Sequence, residues 1–170
     1  MTPLRAKSLT RPFHVVLVEP EIPPNTGNIA RLCAATGCAL HLVGRLGFRI
    51  DEHAVRRAGL DYWPLVEVTQ HPDLATAERA IATLDPRRSP QSWLFSGKSR
   101  TSFLDVPFRI GDVLVFGKES VGLDETLLEA RREHTVAIPT LGPVRSLNLS
   151  NSVALAVYEA LRQNGALATS

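Results

Sequence analysis

Small hydrogen-bonding side chains are concentrated just ahead of the last apolar segment of the chain. They are Ser146, Asn148, Ser150 and Asn151, and residues that favour irregular backbone precede them at Pro139, Gly142 and Pro143. One such side chain is enough to cap a helix, because a single oxygen satisfies the first free N–H groups. The surplus therefore indicates a binding site for a polar ligand ahead of the last helix.

A second segment of interest is the loop predicted between residues 19 and 27. Pro23 and Pro24 restrict its backbone, so we expect neither a helix nor an inner strand there. Asn25 is either a turn or cap residue or a polar group of a site. Arg31, six residues further on, is either part of a solvated helix face or an anion-binding group.

The third segment, residues 116–123, follows a predicted buried strand and opens a predicted helix. Gly117 and Gly122 permit tight backbone turns. Loops at the carboxyl ends of strands are where α/β sheets bind ligands, which favours a binding role for this segment. Glu119 is either a first-turn charge favourable to the following helix or an acidic group of the site.

Several common site motifs are absent. Residues 96–99 read SGKS, like the end of a phosphate-binding loop, but that loop needs a glycine where Ser92 stands. Neither a GxGxxG after the first strand nor a GxSxG is present, which leaves dinucleotide and hydrolase sites unsupported. The histidines are scattered, and Cys33 and Cys38 lack metal-ligand spacing, so we predict no metal site and reduced thiols in a cytoplasmic protein.

The composition of the 170-residue chain is that of an ordinary globular protein, with 44% hydrophobic and 21% charged residues. No apolar run reaches the ~18 residues of a membrane span, so we expect no membrane association. The net charge of +2 neither requires nor excludes nucleic acid, although cations cluster locally, as at Arg131 and Arg132.

Residues 1–12 carry cations and no acid. We interpret them as a flexible basic arm, with a remnant of a targeting peptide as the alternative.

Strands alternate with helices along the rest of the chain. Apolar runs predict strands at residues 13–18, 39–43, 64–68, 92–96, 112–116 and 135–138. Helical patterns occupy residues 28–36, 52–58, 74–84, 123–132 and 148–163. This order predicts an α/β fold with a mostly parallel sheet and helices on both faces. No repeat or linker is visible, so residues 13–170 are interpreted as a single domain.

The last predicted helix is apolar around most of its surface. Its apolar residues are Val153, Ala154, Leu155, Ala156, Val157, Ala160 and Leu161. A helix on the outside of a small domain would present a polar face to solvent. We therefore expect this helix to be buried on two sides, by its own sheet and by a partner subunit.

Four segments of the chain resemble the motifs of one family. They are PEIPPNTGNIARLCAATG at residues 20–37, RRAGLDYW at 56–63, FGKESVGL at 116–123 and RSLNLSNSVALAVYEA at 145–160. In this order and spacing they resemble the SPOUT superfamily of knotted methyltransferases, in particular the small single-domain tRNA 2′-O-methyltransferases of the wobble nucleotide. The resemblance extends from Phe13 to about Gln163.

The resemblance implies a C-terminal deep trefoil knot, a homodimer with active sites at the subunit interface, and S-adenosylmethionine as methyl donor without a metal. It places cofactor contacts at Phe95, Gly117, Ile138, Ser146 and Leu147. The polar positions associated with catalysis in relatives are Asn25, Arg31, Glu119, Ser146 and Asn148. Tyr158 either supports the site or is an interface residue. The implied substrate is the anticodon loop of tRNA, with leucine tRNAs as the expected targets.

The role of Arg31 stays open at this point. Relatives are proposed to use the equivalent arginine as the base that removes the ribose proton. A guanidinium has a very high pKa, so it is almost always protonated and is a poor candidate for a general base. Binding of a neighbouring phosphate or stabilisation of the developing alkoxide is the alternative.

Other functions are also compatible with the sequence. One is methylation of a different tRNA or rRNA nucleotide, and another is a non-catalytic RNA-binding protein on the same fold. A third is a nucleotide-dependent enzyme of ordinary doubly wound fold, against which the missing phosphate-loop glycines count. The sequence departs from the residues common in relatives at Lys118, Val121 and Val144. These departures bear on the choice of substrate more than on the type of reaction.

Overall fold

The computed structural model describes residues 4–48 and 63–168 of the chain. Its strands are β1 (His14–Val18), β2 (Ala39–Val43), β3 (Val68–His71), β4 (Ser92–Phe95), β5 (Val113–Phe116) and β6 (Thr135–Val136). They form one sheet in the order β3-β2-β1-β5-β4-β6, and each neighbouring pair is parallel. The helices are α1 (Pro23–Thr36), α2 (Leu74–Leu84), α3 (Glu125–Ala130) and α4 (Leu149–Gln163), with 3-10 turns at Trp63–Leu65, Phe103–Asp105 and Arg132–His134.

Both faces of the sheet are covered, which explains why the inner strands are apolar at nearly every position. On one face, residues such as Val15 and Leu114 belong to a core that includes apolar side chains of α1 and α4. On the other face, Val16 and Val115 belong to a core that includes side chains of α2 and α3. The predicted mostly parallel sheet with helices on both faces is thereby confirmed.

The prediction that residues 19–27 contain no helix was wrong. Helix α1 begins at Pro23, five residues before the predicted start. The first N–H groups of a helix have no intrahelical acceptor, so a proline there loses no hydrogen bond. Pro23 and Pro24 therefore open the helix, and Asn25 lies in its first turn.

The third strand was also misplaced by the sequence prediction. Residues 63–65 form a 3-10 turn, and the strand is Val68–His71, paired with Leu40–Val43 of β2. It lies at the edge of the sheet and exposes Thr69 and Gln70, so it carries no apolar run that would mark it.

The remaining predicted elements that fall on described residues agree with the structure, apart from some of their ends. The predicted strand at 39–43 and the predicted helix at 74–84 match in full, and Asp73 caps the latter by accepting the Thr76 N–H at 2.7 Å. The helix predicted at 123–132 is shorter, because Asp124 caps it and a 3-10 turn follows. The strand predicted at 135–138 ends at Val136, and the helix predicted at 52–58 lies outside the described residues.

Helix α4 buries one face within the protomer. Val153, Val157 and Leu161 pack into the core beside α1. Leu155 and Tyr158, on the same helix, are 46% and 49% exposed. The second buried side that the sequence predicts would thus have to be covered by another molecule.

Three buried histidines form a hydrogen-bonded row across β1, β2 and β3. His14 Nδ1 lies 3.0 Å from His41 Nε2, and His41 Nδ1 lies 3.0 Å from His71 Nε2. Burial lowers the pKa of His14 from 6.5 to about 4, with a further contribution from the charge of Arg11. Burial and the neighbouring histidines lower the pKa of His41 to about 3. The row is therefore neutral at pH 7. In each of its two hydrogen bonds, one ring nitrogen donates its N–H and the facing nitrogen accepts it.

This row predicts that the fold loses stability in mild acid. The unfolded chain binds protons near pH 6.5 and the folded chain only near pH 4 or below, so stability falls as the pH falls through this window. Two such groups correspond to a loss of about 3 kcal/mol between pH 6.5 and 5. Urea unfolding at pH 7, 6.5, 6, 5.5 and 5 would measure this slope.

A matched pair of variants isolates the contribution of the row. His41→Gln removes the central titrating group and is expected to flatten the pH dependence, whatever its effect on stability at pH 7. His134→Gln changes a histidine outside the row and serves as the reference for comparing the slopes. Equal slopes for His41→Gln and the unaltered protein would contradict the assignment.

Candidate functional site

The carboxyl ends of three adjacent strands bring together most of the residues predicted to bind a cofactor. Phe95 is the last residue of β4, Gly117 directly follows β5, and Ile138 lies two residues beyond β6. These strands are neighbours in the order β5-β4-β6. The rings of Phe95 and Phe116 stack with centroids 4.6 Å apart, which extends the apolar core to the carboxyl ends of β4 and β5.

The loop after β5 is a tight turn that needs its first glycine. The carbonyl of Lys118 accepts the N–H of Gly122 at 2.9 Å, which closes the turn. A Cβ built on Gly117 would lie 2.5 Å from the carbonyl oxygen of Gly122 and would also overlap the backbone of Leu123. Glycine is therefore required at 117 by the close approach of backbone, and Gly122 itself has a φ of +78°.

Glu119, at the tip of this turn, binds the start of helix α1. Its carboxylate accepts the N–H groups of Glu21 at 2.8 Å and Ile22 at 3.1 Å, and the Nδ2 of Asn25 at 3.0 Å. Ile22 is the N-cap of α1 and offers no side-chain oxygen, and the first turn of α1 contains no acid. Glu119 thus supplies from another loop the negative charge that a helix N-terminus favours.

Asn148 links the same centre to helix α4. Its Nδ2 donates to Oδ1 of Asn25 at 3.0 Å, while its Oδ1 accepts the N–H of Ser150 at 2.9 Å and caps α4. Asn25 is 5% exposed, so both ends of its amide are satisfied by Glu119 and Asn148 in a nearly buried position. A chain of hydrogen bonds therefore joins the three segments that the sequence singled out.

The other predicted residues lie around this chain in different ways. Ser146 is exposed and Leu147 half-buried, immediately before the Asn148 cap. Arg31 lies on α1, exposed, six residues after the buried Asn25. A helix turns by about 600° over six residues, which leaves the side chains of Arg31 and Asn25 about 120° apart around α1. They therefore project from different sides of the helix. Tyr158 is half-exposed on α4 beside the open face that includes Leu155.

Sequence reasoning did not predict two pairs of polar residues that hold these loops together. Glu19 contacts Lys118, and Glu21 contacts Ser120, so each pair bridges the loops after β1 and β5. The sequence signal for these contacts was weak: acids at 19 and 21, and a run of polar residues at 118–120, with partners about one hundred positions away.

The described residues contain neither a cluster suited to a metal ion nor a membrane-spanning helix. Among them, no group of three or more histidine, cysteine, aspartate or glutamate side chains could hold a metal ion. Within the same part of the chain, no helix is long and apolar enough to cross a membrane.

A parallel sheet with glycine-containing and polar loops beyond its carboxyl ends is the architecture of a ligand-binding α/β enzyme. The model of the SpoU rRNA Methylase family matches residues 12–158, which is most of the chain. The chain therefore belongs to this family of methyltransferases.

Individual proteins and solved structures within and around this family are also similar to the chain. The tRNA (cytidine(34)-2′-O)-methyltransferase of Acidovorax sp. (strain JS42) is 48% identical over 159 residues, covering 91% of this chain and 94% of that protein. A solved structure that concerns 2-OH methylation of C/U34 on tRNA has a TM-score of 0.80 at 46% identity, covering 90% of this chain and 96% of that one. The SpoU methyltransferase AviRb from Streptomyces viridochromogenes, crystallised with AdoMet, shares the fold with a TM-score of 0.75 at 24% identity, covering 95% and 62%.

Proposed function

We propose that this protein transfers a methyl group from S-adenosylmethionine to the ribose 2′-hydroxyl of the wobble nucleotide 34 of tRNA, a cytidine or a modified uridine. The observation that carries the proposal is the Glu119–Asn25–Asn148 chain, which joins three loops at the carboxyl edge of the sheet. Its support in known proteins is the identity of 48% to a tRNA cytidine-34 methyltransferase over nearly the whole of both chains.

The proposed cofactor would lie among the loops at this edge. A Cβ on Gly97 would lie 3.4 Å from the carbonyl oxygen of Arg145, so the segment ahead of α4 closes onto the loop after β4. Between these segments, Phe95, Gly117, Ile138, Ser146 and Leu147 would hold S-adenosylmethionine, largely through backbone groups and apolar contact. The cofactor supplies a methyl group on a good leaving group, with S-adenosylhomocysteine as product, and no metal is required.

The protein's own residues then have to align the ribose 2′-hydroxyl with the methyl group and favour loss of the hydroxyl proton. Asn25, Glu119 and Asn148 fix the loops against one another, and Ser146 adds a hydroxyl in the adjoining segment. We assign Arg31 to the phosphate beside the target nucleotide or to the developing alkoxide, because a guanidinium stays protonated at neutral pH. Alignment of this kind can remove a large part of the activation barrier of a direct group transfer.

A homodimer completes the proposal. Arg31 and Asn25 project from different sides of α1, and α4 presents Leu155 and Tyr158 to solvent within one protomer. A second copy packed on α4 would bury these side chains, and the family resemblance places the active sites at such an interface, with the chain knotted near its C-terminus. The substrate would be the anticodon loop of cytoplasmic tRNA, bound through basic side chains and therefore more weakly at high salt.

The experiment that tests the proposal is methyl transfer from labelled S-adenosylmethionine to tRNA from cells that lack this protein. The product is mapped by nuclease digestion and mass spectrometry, with leucine tRNAs as the first substrates and rRNA as a parallel substrate. A 2′-O-methyl mark at nucleotide 34 is expected. A mark on rRNA or at another tRNA position would overturn the target, and binding of RNA without binding of S-adenosylmethionine would overturn the enzyme assignment.

A further inference from the structure

Two acidic residues after β1 face two polar residues after β5. Strands β1 and β5 are adjacent and parallel, with Leu17 paired to Phe116, so the loops that leave them run side by side. Lys118 Nζ lies 2.7 Å from Oε2 of Glu19. The other contact is made by Glu21, whose carboxylate accepts both the N–H and the hydroxyl of Ser120 at 3.0 Å.

The backbone at Glu19 is held in an uncommon conformation. Its φ is +49°, in the left-handed region that residues other than glycine rarely adopt. Its N–H donates to the carbonyl of Val43 at 2.8 Å, and a Cβ on Gly44 would lie 2.9 Å from Cγ of Glu19. The stem of Glu19 therefore occupies the space that Gly44 leaves open, and its surroundings hold the backbone in this conformation.

Both contacts favour the ionised state of their side chains. The hydrogen bond and charge of Glu19 raise the pKa of Lys118. The hydrogen bonds from Ser120 lower the pKa of Glu21. Lys118 and Glu19 are 32% and 40% exposed, so one such ion pair contributes little by itself. Together with the contacts of Glu119, however, the loop between Gly117 and Gly122 is held at three successive residues.

We propose that Glu19 and Glu21 are positioning residues, which hold Lys118 and Ser120 so that the turn carrying Gly117 and Glu119 keeps its place over the sheet. The turn is held from both directions, because Glu119 binds the segment at 21–25 while Glu19 and Glu21 bind the turn. The inference rests on the proposed function in one respect, since Gly117 is a proposed cofactor contact. Loss of the Glu19–Lys118 pair should therefore weaken S-adenosylmethionine binding and loosen the turn.

The test uses Glu19→Gln, Lys118→Met and the double variant of the full chain. The matched control is Arg11→Met with Glu67→Gln, an ion pair of similar exposure, 39% and 44%, that precedes β1 and β3. Two quantities are measured: amide hydrogen exchange of residues 117–123 without cofactor, and the dissociation constant of S-adenosylmethionine by calorimetry. Each single variant is expected to speed exchange of the turn and raise the dissociation constant about 3- to 10-fold, and the double variant no further.

The outcomes separate this inference from the proposed function. Exchange in the cofactor-free protein reports on the turn alone, so unchanged exchange in Lys118→Met would overturn the positioning role even if methyl transfer is confirmed. Fully additive effects of Glu19→Gln and Lys118→Met on exchange would also overturn it, because they would show two independent contacts. If the unaltered protein binds no S-adenosylmethionine, the proposed function fails, whereas faster exchange in both variants would still support the pair as what holds the turn.

Discussion

Replacing Glu119 by glutamine is expected to lower kcat/KM for methyl transfer about 100-fold, equivalent to about 3 kcal/mol. The carboxylate accepts three hydrogen bonds, from the N–H groups of Glu21 and Ile22 and from Nδ2 of Asn25. A glutamine amide has one oxygen, and its NH2 group would face N–H donors. At least one donor near the nearly buried Asn25 would then lose its partner, which costs about 1–3 kcal/mol, and the charge that favours the start of α1 would also be lost.

The measurement is the initial rate of methyl transfer at sub-saturating tRNA, which gives kcat/KM, with the melting temperature recorded for each variant. Glu129→Gln is the matched control, because Glu129 is an exposed glutamate whose described partner is Arg132 on the same surface. We expect Glu129→Gln to retain full activity. Activity of Glu119→Gln close to that of the control would show that the Glu119–Asn25 contact has no part in catalysis.

The second large effect is expected from Gly117→Ala, which should raise the dissociation constant of S-adenosylmethionine more than 10-fold. The added methyl group would lie 2.5 Å from the carbonyl oxygen of Gly122 and would overlap the backbone of Leu123. Backbone atoms cannot turn aside as a flexible side chain can, so the whole turn has to shift. The shift would move position 117 away from the cofactor loops and would drag Glu119 from the start of α1.

Gly142→Ala is the control for this change. A Cβ on Gly142 meets nothing within 4 Å, so the same chemical substitution is sterically free there. Calorimetric titration with S-adenosylmethionine, alongside thermal unfolding, separates loss of binding from loss of folding. Equal affinities for Gly117→Ala and Gly142→Ala would remove residue 117 from the cofactor site.

Local signals identified the starts of two helices whose capping contacts lie within one turn of the chain. Asp73 marks the start of α2, because its side chain accepts the N–H of Thr76, three residues away. Asn148 marks the start of α4 in the same way, by accepting the N–H groups of Ser150 and Asn151. Pro23 and Pro24 led to a wrong prediction because proline is unfavourable in the middle of a helix but favourable in its first turn. Only the tertiary contacts around Ile22 determine which of these two situations applies.

The sequence by itself determined the alternation of strands and helices, the buried character of the inner strands, and the residue types available for chemistry at positions 25, 119 and 148. Each of these follows from periodicity or composition over a few neighbouring residues. The tertiary structure alone decided that Glu119 binds Asn25, 94 residues away, and that Asn148 binds it from 123 residues away. The physical reason is that these side chains meet only where the parallel order β1-β5-β4-β6 brings the carboxyl ends of β1, β5 and β6 to one edge, and no local pattern records which strands become neighbours.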